Sequence, residues 1–343
     1  MLKILFAPLQ SYTTGIYRKA HAEIFGGVDA YYAPFLRIEN GKPREKDLRD
    51  LNALEGDARE RNARKGKARE IPQIIANSVE EFKILANTLI TKGYTEIDFN
   101  MGCPFPMQVN RHRGAGLLSD AQAVQKIMDE IRKISNANGT APTIVKGTAP
   151  VKFSVKMRLG QDSPDEAFAL LPILNEAPLS QITLHPRLGK QQYKGAIDFK
   201  SFEKFYAECR HPLVYNGDIT SVSQISEMEQ RYPKLAGVMI GRGLLAHPIL
   251  AAEYKGLYDK NSAALNCAAT SQDFFDKLFQ MHQVIFDHAC KTYQGDSQIL
   301  SHIQSFWDYL EPSIPKKIFK KIKKAGKLNE YQAAIIEITS HLP

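Results

Sequence analysis

Cysteine is scarce in this chain. Its 343 residues include four, Cys103, Cys209, Cys267 and Cys290, and no two of them form a Cys-x-x-Cys pair. That spacing excludes a disulfide framework or a zinc knuckle and makes a cytoplasmic protein with reduced thiols and no metal site the expectation. No apolar run approaches the ~20 residues that a membrane span needs. The opening run is stopped by Pro8 and Gln10, too early for the apolar region of a signal peptide. No Gly-x-Gly-x-x-Gly follows the first strand candidate, which argues against a doubly wound dinucleotide-binding sheet. The 22 glycines and 18 prolines keep no period, so collagen and repeat arrays are excluded. What the chain does have is apolar residues throughout, enough for a large core rather than a disordered chain. It also carries 45 Lys and Arg against 37 Asp and Glu, a net charge of +8. Such a surplus suits an anionic partner such as nucleic acid.

Short apolar, β-branched runs alternate with helical patterns. Residues 4–9, 30–35, 71–76, 96–101, 153–159, 181–185, 213–216 and 237–240 read as strands. Residues 79–92, 121–135, 165–174, 199–209 and 222–231 repeat their apolar positions every three or four residues, as an amphipathic helix requires. Eight strands alternating with helices over the first 245 or so residues predict an α/β fold, a (β/α)8 TIM barrel. The densely charged segment from Arg37 to Glu70 carries no strand pattern and reads as a long insertion most of whose charges are solvated on a surface helix. After Pro248 no strand appears. Phe274, Leu278, Met281, Ile285 and then Ile299, Ile303, Phe306, Leu310 recur at helical spacing. A smaller C-terminal all-helical domain is expected, with the chain divided into 1–255 and 256–343.

The ends of the predicted strands are unusually polar. Strand one runs into Pro8, Leu9 and Gln10; the third carries Gln73; the fourth ends Asn100-Met101-Gly102-Cys103-Pro104. The fifth carries Lys156 and Arg158, the sixth ends His185-Pro186-Arg187, the seventh Asn216-Gly217-Asp218, and the eighth Gly241-Arg242-Gly243. Each polar group loses hydration when a barrel closes over it, and such a number of them at one rim predicts a lined pocket. The last two turns suit a phosphate: glycines admit the oxygens to backbone amides and arginine adds a bidentate charge. Lys156 could face an electron-rich heterocycle there, or form a buried salt bridge. Cys103 sits in a turn just past a strand, before a stretch containing Arg111, His112 and Arg113. That stretch reads as a mobile basic loop whose cations would tune a thiol able to donate a proton. The other three cysteines read as small buried hydrophobes.

Near the end, Lys316, Lys317, Lys320, Lys321, Lys323, Lys324 and Lys327 crowd one segment, with Ile314, Ile318, Ile322 and Ala325 at helical spacing between them. A phosphate-tracking face fits this pattern. A membrane-surface helix fits less well, because the apolar stripe lacks tryptophan. A merely solvated lysine face is the third possibility.

Taken together, Ala7-Pro8-Leu9-Gln10, Ile97-Asp98-Phe99-Asn100-Met101-Gly102-Cys103-Pro104, Gly114-Ala115-Gly116-Leu117-Leu118, Ser154-Val155-Lys156-Met157-Arg158, His185-Pro186-Arg187, Asn216-Gly217-Asp218 and Gly241-Arg242 resemble, in order and spacing, the motifs of the tRNA-dihydrouridine synthases. The resemblance implies an FMN enzyme that reduces the C5–C6 double bond of uridine in tRNA and is reloaded by NADPH. It implies Cys103 as the proton donor to C5. Pro8, Leu9 and Gln10 would line the flavin, Gln73 and Lys156 would bond its pyrimidine edge, and His185, Asn216, Gly217, Asp218, Gly241 and Arg242 would hold its ribityl-phosphate end. Arg37, Asn100, Tyr193 and Arg187 would meet the target nucleotide or its neighbours, and Lys316, Lys317, Lys320, Lys321 and Lys324 the tRNA backbone. A monomer without a stable protein partner or a membrane is expected. The rival reading keeps the FMN barrel but gives it a small-molecule enone or pyrimidine; the lysine-rich tail speaks against it. Leu9-Gln10, Pro186 and Phe105-Pro106 depart from what is common at these positions in the family.

Overall fold

The computed structural model describes residues 1–51, 68–136, 150–257 and 272–339. Eight of its strands are long enough to match the sequence pattern: β1 (Lys3–Phe6), β2 (Ala30–Leu36), β5 (Arg69–Ile74), β6 (Glu96–Met101), β7 (Lys152–Gly160), β8 (Leu179–Leu188), β9 (Leu213–Tyr215) and β10 (Leu235–Ile240). Two short ones, β3 (Ile38–Glu39) and β4 (Lys42–Pro43), stand apart as a hairpin. The eight are all parallel and close into a barrel in the order β1-β10-β9-β8-β7-β6-β5-β2. Every strand expected from the sequence is present, β1 ending three residues early because Pro8 cannot donate to the ladder. The five amphipathic helices also form, as Val79–Thr91, Ala121–Asn136, Asp165–Glu176, Phe199–Glu208 and Val222–Arg231. Ser78, Asp198 and Ser221 cap three of them by accepting the N–H three residues on, which satisfies a donor the first turn leaves free.

Alternation along the strands sorts the side chains. Phe153, Val155 and Met157 of β7 point outward into the layer under the helices, while Ser154, Lys156 and Arg158 point inward. The register places Asp98 beside both Gln73 and Ser154, Asn100 beside Lys156, and Arg158 beside His185. A small apolar layer of Leu5, Ala30, Tyr32, Ile71, Val214 and Met239 also fills the barrel. The polar residues above therefore lie at the carboxyl ends of the strands.

The insertion after β2 corrects one expectation. It does contain strands, the β3–β4 hairpin, followed by a short helix Glu45–Arg49. Asn40 and Gly41 both have positive φ, at 51° and 75°, the conformation a tight hairpin demands of its two central residues and Asn-Gly supplies. Two of its charges, Asp50 and Glu70, are exceptions to the expected solvation. Arg18 is fully buried and donates to Asp50 Oδ2, to the Asp50 carbonyl and to Glu70 Oε2. Residues 52–67 of the insertion lie outside the described residues.

Past β10 the chain runs through helices Arg242–Ala246 and Leu250–Tyr254 to helix Gln272–Thr292; residues 258–271, next to the expected division at 255, lie outside the described residues. Phe274, Leu278, Met281 and Ile285 are buried, and helix Gln272–Thr292 packs on helix Gly15–Ile24 of the barrel. Phe25 and Phe274 meet there at 6.2 Å between ring centroids. Within the helical part Trp307 Nε1 donates to the Tyr331 hydroxyl at 2.8 Å, and that hydroxyl lies 2.7 Å from His282 Nε2. Burial lowers His282 to about 4, so its ring is neutral. Cys290 is exposed rather than buried. It follows Ala289 of the buried stripe by one residue and so turns about 100° away from it. Cys209 is half-buried, and Cys267 is outside the described residues.

Candidate active site

A cavity of about 560 Å³ opens at the carboxyl ends of the barrel strands. Its walls bring together most of the residues singled out from the sequence: Pro8, Leu9 and Gln10 after β1, Asn100 and Cys103 at β6, Lys156 on β7, and His185 and Tyr193 at β8. Asn216, Gly217 and Asp218 after β9, and Gly241 and Arg242 after β10, complete the ring.

Cys103 is held from several sides. The Asn100 carboxamide oxygen accepts the backbone N–H of Gly102 at 3.0 Å and of Cys103 at 2.9 Å, fixing the turn that follows β6. Gly114 sits at φ +60°, where a Cβ would come within 2.8 Å of the cysteine's own Cβ, so only glycine lets the following turn close behind the thiol. The stretch from Phe105 to Gly116, read from the sequence as a mobile basic loop, contains two short turns. It folds into a helical turn Pro106–Val109 and a 3-10 turn Gly114–Leu117, and buried Arg113 pairs with Glu81. Burial pushes the Cys103 thiol up, partly offset by the Phe105 N–H it accepts and by Arg158 and Lys156. The tuning cations thus come from β7, and the thiol keeps its proton at neutral pH.

Behind the thiol stands a ladder of buried amides. Ser154 Oγ and Gln73 Nε2 each donate to Asp98 at 2.6 Å, and Gln73 Oε1 accepts from Asn100 Nδ2 at 2.7 Å. An ionised carboxylate can only accept, so Asp98 fixes which way Gln73 points, and Gln73 in turn fixes Asn100. Burial raises Asp98 to about 6 despite both hydrogen bonds. Gln73 therefore does not line the cavity. It lies fully buried beneath it with both ends of its amide engaged.

Lys156 has no hydrogen-bond or ion-pair partner among the described residues. Its ammonium lies in the cavity wall, lowered to about 8 by burial first and by Arg158 second. A desolvated ammonium left unpaired costs free energy that a ligand would recover. The salt-bridge alternative is not what the structure contains.

At the far wall, Arg187 grips Asp218 with two nitrogens and Arg242 reaches the same carboxylate at 2.8 Å. Both cations hold the Asp218 carboxyl below the usual range. Two guanidiniums on one carboxylate leave this wall net positive. Arg187 is itself buried, also bonded to the Gly195 carbonyl, and lies behind the wall rather than in it. Because arginine only donates, its 3.4 Å contact makes His185 Nε2 an acceptor and leaves the ring proton on Nδ1. Burial, then the surrounding cations, hold His185 neutral. Arg242 and Arg158 stack over Tyr193 at 4.9 and 5.5 Å. Arg37 stands apart on the hairpin, 3.7 Å from Glu39.

Two wall residues carry no signal in the sequence. Tyr12 follows β1, and Tyr309 comes from the helical part, 5.2 Å from it between ring centroids. Neither sits at a strand end, and nothing local in the sequence announces a contact spanning almost 300 residues. The lysine helix itself forms at Lys316–Lys324 with Ile318 and Ile322 buried. Lys321 pairs with Glu337 and Lys323 with Asp308, whereas Lys316, Lys317, Lys320 and Lys324 have no ion-pair partner among the described residues.

No helix among the described residues is long and apolar enough to cross a membrane, and no cluster of metal-ligating side chains occurs among them. Morphinone reductase has the same fold, with a TM-score of 0.50 at 11% identity over 74% of this chain and 85% of its own. By sequence, a probable tRNA-dihydrouridine synthase of Helicobacter pylori is 34% identical over 189 residues, 54% of this chain and 52% of that protein. A tRNA-dihydrouridine(16) synthase of Haemophilus ducreyi is 30% identical over 171 residues, 50% and 49% of the two chains. These matches span roughly half the length of the curated relatives. The family description Dihydrouridine synthase (Dus) fits far more of the chain, residues 5–339, across every wall of the cavity just described, and the chain accordingly belongs to the dihydrouridine synthase family.

Proposed function

We propose that this protein reduces the C5–C6 double bond of a uridine in tRNA to 5,6-dihydrouridine, with the base lying in the cavity beside Cys103. The carrying observation is the convergence of a protonated thiol and an unpaired ammonium on one cavity whose far wall is net positive. Uracil C6 is electrophilic because the C4 carbonyl is conjugated with the double bond, so addition there places negative charge on C5 and the C4 oxygen. Cys103 is an acid that holds its proton until that charge appears, and then delivers it to C5.

The residues fit a flavin mononucleotide. Lys156 offers its free ammonium to an electron-rich edge, Pro8 and Leu9 give an apolar wall, and the Asn216–Asp218 and Gly241–Arg242 turns offer a cationic end for a phosphate. Bound flavin, recharged by NADPH, supplies the hydride that C6 receives. His185 would donate from Nδ1, and Gln73 would act on the flavin only through the orientation it imposes on Asn100. Asn100 and Tyr193 would hold the base or its neighbours, with Arg37 reserved for RNA outside the cavity. Uridine must leave its stack to reach the thiol, so nucleotide extrusion is part of the reading.

Residues 256–343 would form the tRNA-binding part, with the unpaired lysines of helix Lys316–Lys324 tracking phosphates. That helix is tied through the Lys323–Asp308 contact to the residue next to Tyr309, a wall residue of the cavity. A small enone or pyrimidine would not need such a surface. The test is incubation of the purified protein with unmodified tRNA transcript, FMN and NADPH, followed by nucleoside analysis. Dihydrouridine is expected; its absence, with NADPH consumed on a small enone instead, would overturn the proposal.

A further inference from the structure

Phe105 and Met107 are exposed by 50% and 64%, two residues apart on one short turn, and Phe105 lies at the cavity. The turn that carries them is built to hold them out. Pro104 and Pro106 fix φ on both sides of Phe105. The Phe105 carbonyl accepts the N–H groups of Gln108 at 2.8 Å and Val109 at 3.0 Å. At the next bend the Arg111 carbonyl is tied to Asn77 Nδ2 at 2.9 Å, while the Arg111 guanidinium is exposed and unpaired among the described residues. An aromatic ring and a thioether displayed to water on a fixed turn beside a free cation would gain from a flat, apolar-faced, anionic partner.

Phe105 is also a wall of the cavity itself, two residues from Cys103. Whatever touches its outer face is therefore contiguous with whatever enters the cavity. On the reading above, which this inference presupposes, that neighbour is the next nucleotide of the same RNA strand. We propose that Phe105 and Met107 form an apolar wedge that takes the place of the extruded uridine, stacking on the nucleobase adjoining the gap while Arg111 meets the flanking phosphate. Extruding a base breaks its stacking on both sides, and a side chain that restacks one side offsets part of that cost. Phe105, which with Pro106 departs from what is common at these positions in the family, has here a use that the reduction itself does not require.

The experiment begins by mapping the modified uridine with the wild-type protein. Two transcripts then carry 2-aminopurine on the 5′ or the 3′ side of that position, and fluorescence and affinity are followed as protein is added. Wild-type protein should keep one of the two probes quenched. Phe105→Ala or Met107→Ala should raise the signal of that probe several-fold and weaken tRNA binding about tenfold, within the range of one base stack. Phe105→Trp should restore both. Variants that match the wild type in fluorescence and affinity overturn the wedge, and this is also the outcome if the pair serves a protein or lipid contact. If the wild-type protein forms dihydrouridine in no tRNA, it is the substrate reading that has failed, a result obtained before any variant is made.

Discussion

Tyr12 donates its hydroxyl to Asp308 Oδ2 at 3.1 Å, joining the loop after β1 to the helical part of the chain. The other oxygen of that carboxylate takes the ammonium of Lys323, so one carboxylate connects the cavity rim to the lysine helix. Replacing Lys316, Lys317, Lys320 and Lys324 by Ser should weaken tRNA binding and lower its salt slope by about one for each phosphate left unneutralised. None of the four belongs to the core, so flavin content and melting temperature should stay at wild-type values. A salt slope equal to the wild type's would mean that RNA does not follow this face.

The amide ladder makes a prediction about a residue that never meets the cavity. Asp98→Leu removes the acceptor that orients Gln73, frees Asn100 to rotate, and should lower kcat by about tenfold or more through a misplaced Cys103. Asp98→Asn can still accept from Gln73 while Ser154 turns to accept from the new amide, so most of the activity should return. The carboxyl is raised to about 6 in the fold, above its value of ~3.9 in an unfolded chain. The stability gained by its neutral form is therefore complete below ~3.9 and lost as pH rises through about 6. Asp98→Asn should accordingly gain stability relative to wild type between about pH 5 and pH 8, as measured by thermal melts at both.

The strands and the positions of the polar side chains are legible in the sequence because alternation is local: Ser154, Lys156 and Arg158 fall on one side, Phe153, Val155 and Met157 on the other. Residues that serve by holding others are not. Strand-end position puts Gln73 and Arg187 at the predicted pocket and the family resemblance assigns them to ligands, but the partners that occupy them, Asp98 with Asn100 and Asp218 with Gly195, appear only once strands are neighbours. Proximity in the chain makes Arg113 a cation near Cys103, whereas an ion pair to Glu81 from the preceding helix turns it away. Tyr309 is out of reach for the opposite reason, since it enters the site from a helical region whose pattern speaks only of packing.

Lys156 should make cofactor affinity pH-dependent. Its ammonium, lowered to about 8 in the free protein, is lost as pH rises through that value, and binding then has to recover a proton. FMN affinity, followed by quenching of flavin fluorescence, should be level below about pH 7 and fall toward tenfold per unit well above about pH 8. Lys156→Met should bind more weakly at neutral pH and show no such dependence. A level profile in the wild-type protein would remove the ammonium from the flavin's contacts.

Cys103 gives the last test, and it separates a proton donor from a wall residue. Cys103→Ala leaves the Asn100 bonds to the backbone of the turn in place, so FMN and tRNA should still bind and NADPH should still reduce the flavin. Product formation should fall by ~10²–10⁴-fold, the usual contribution of a positioned acid. The thiol must be protonated to act, and burial has raised it above the ordinary thiol value. The wild-type kcat should therefore remain level through about pH 8 and decline only beyond the range in which exposed thiols ionise. Near-normal turnover by Cys103→Ala would assign the proton to water or another group, and a decline setting in below about pH 8 would mean that the thiol is not shielded as its burial requires.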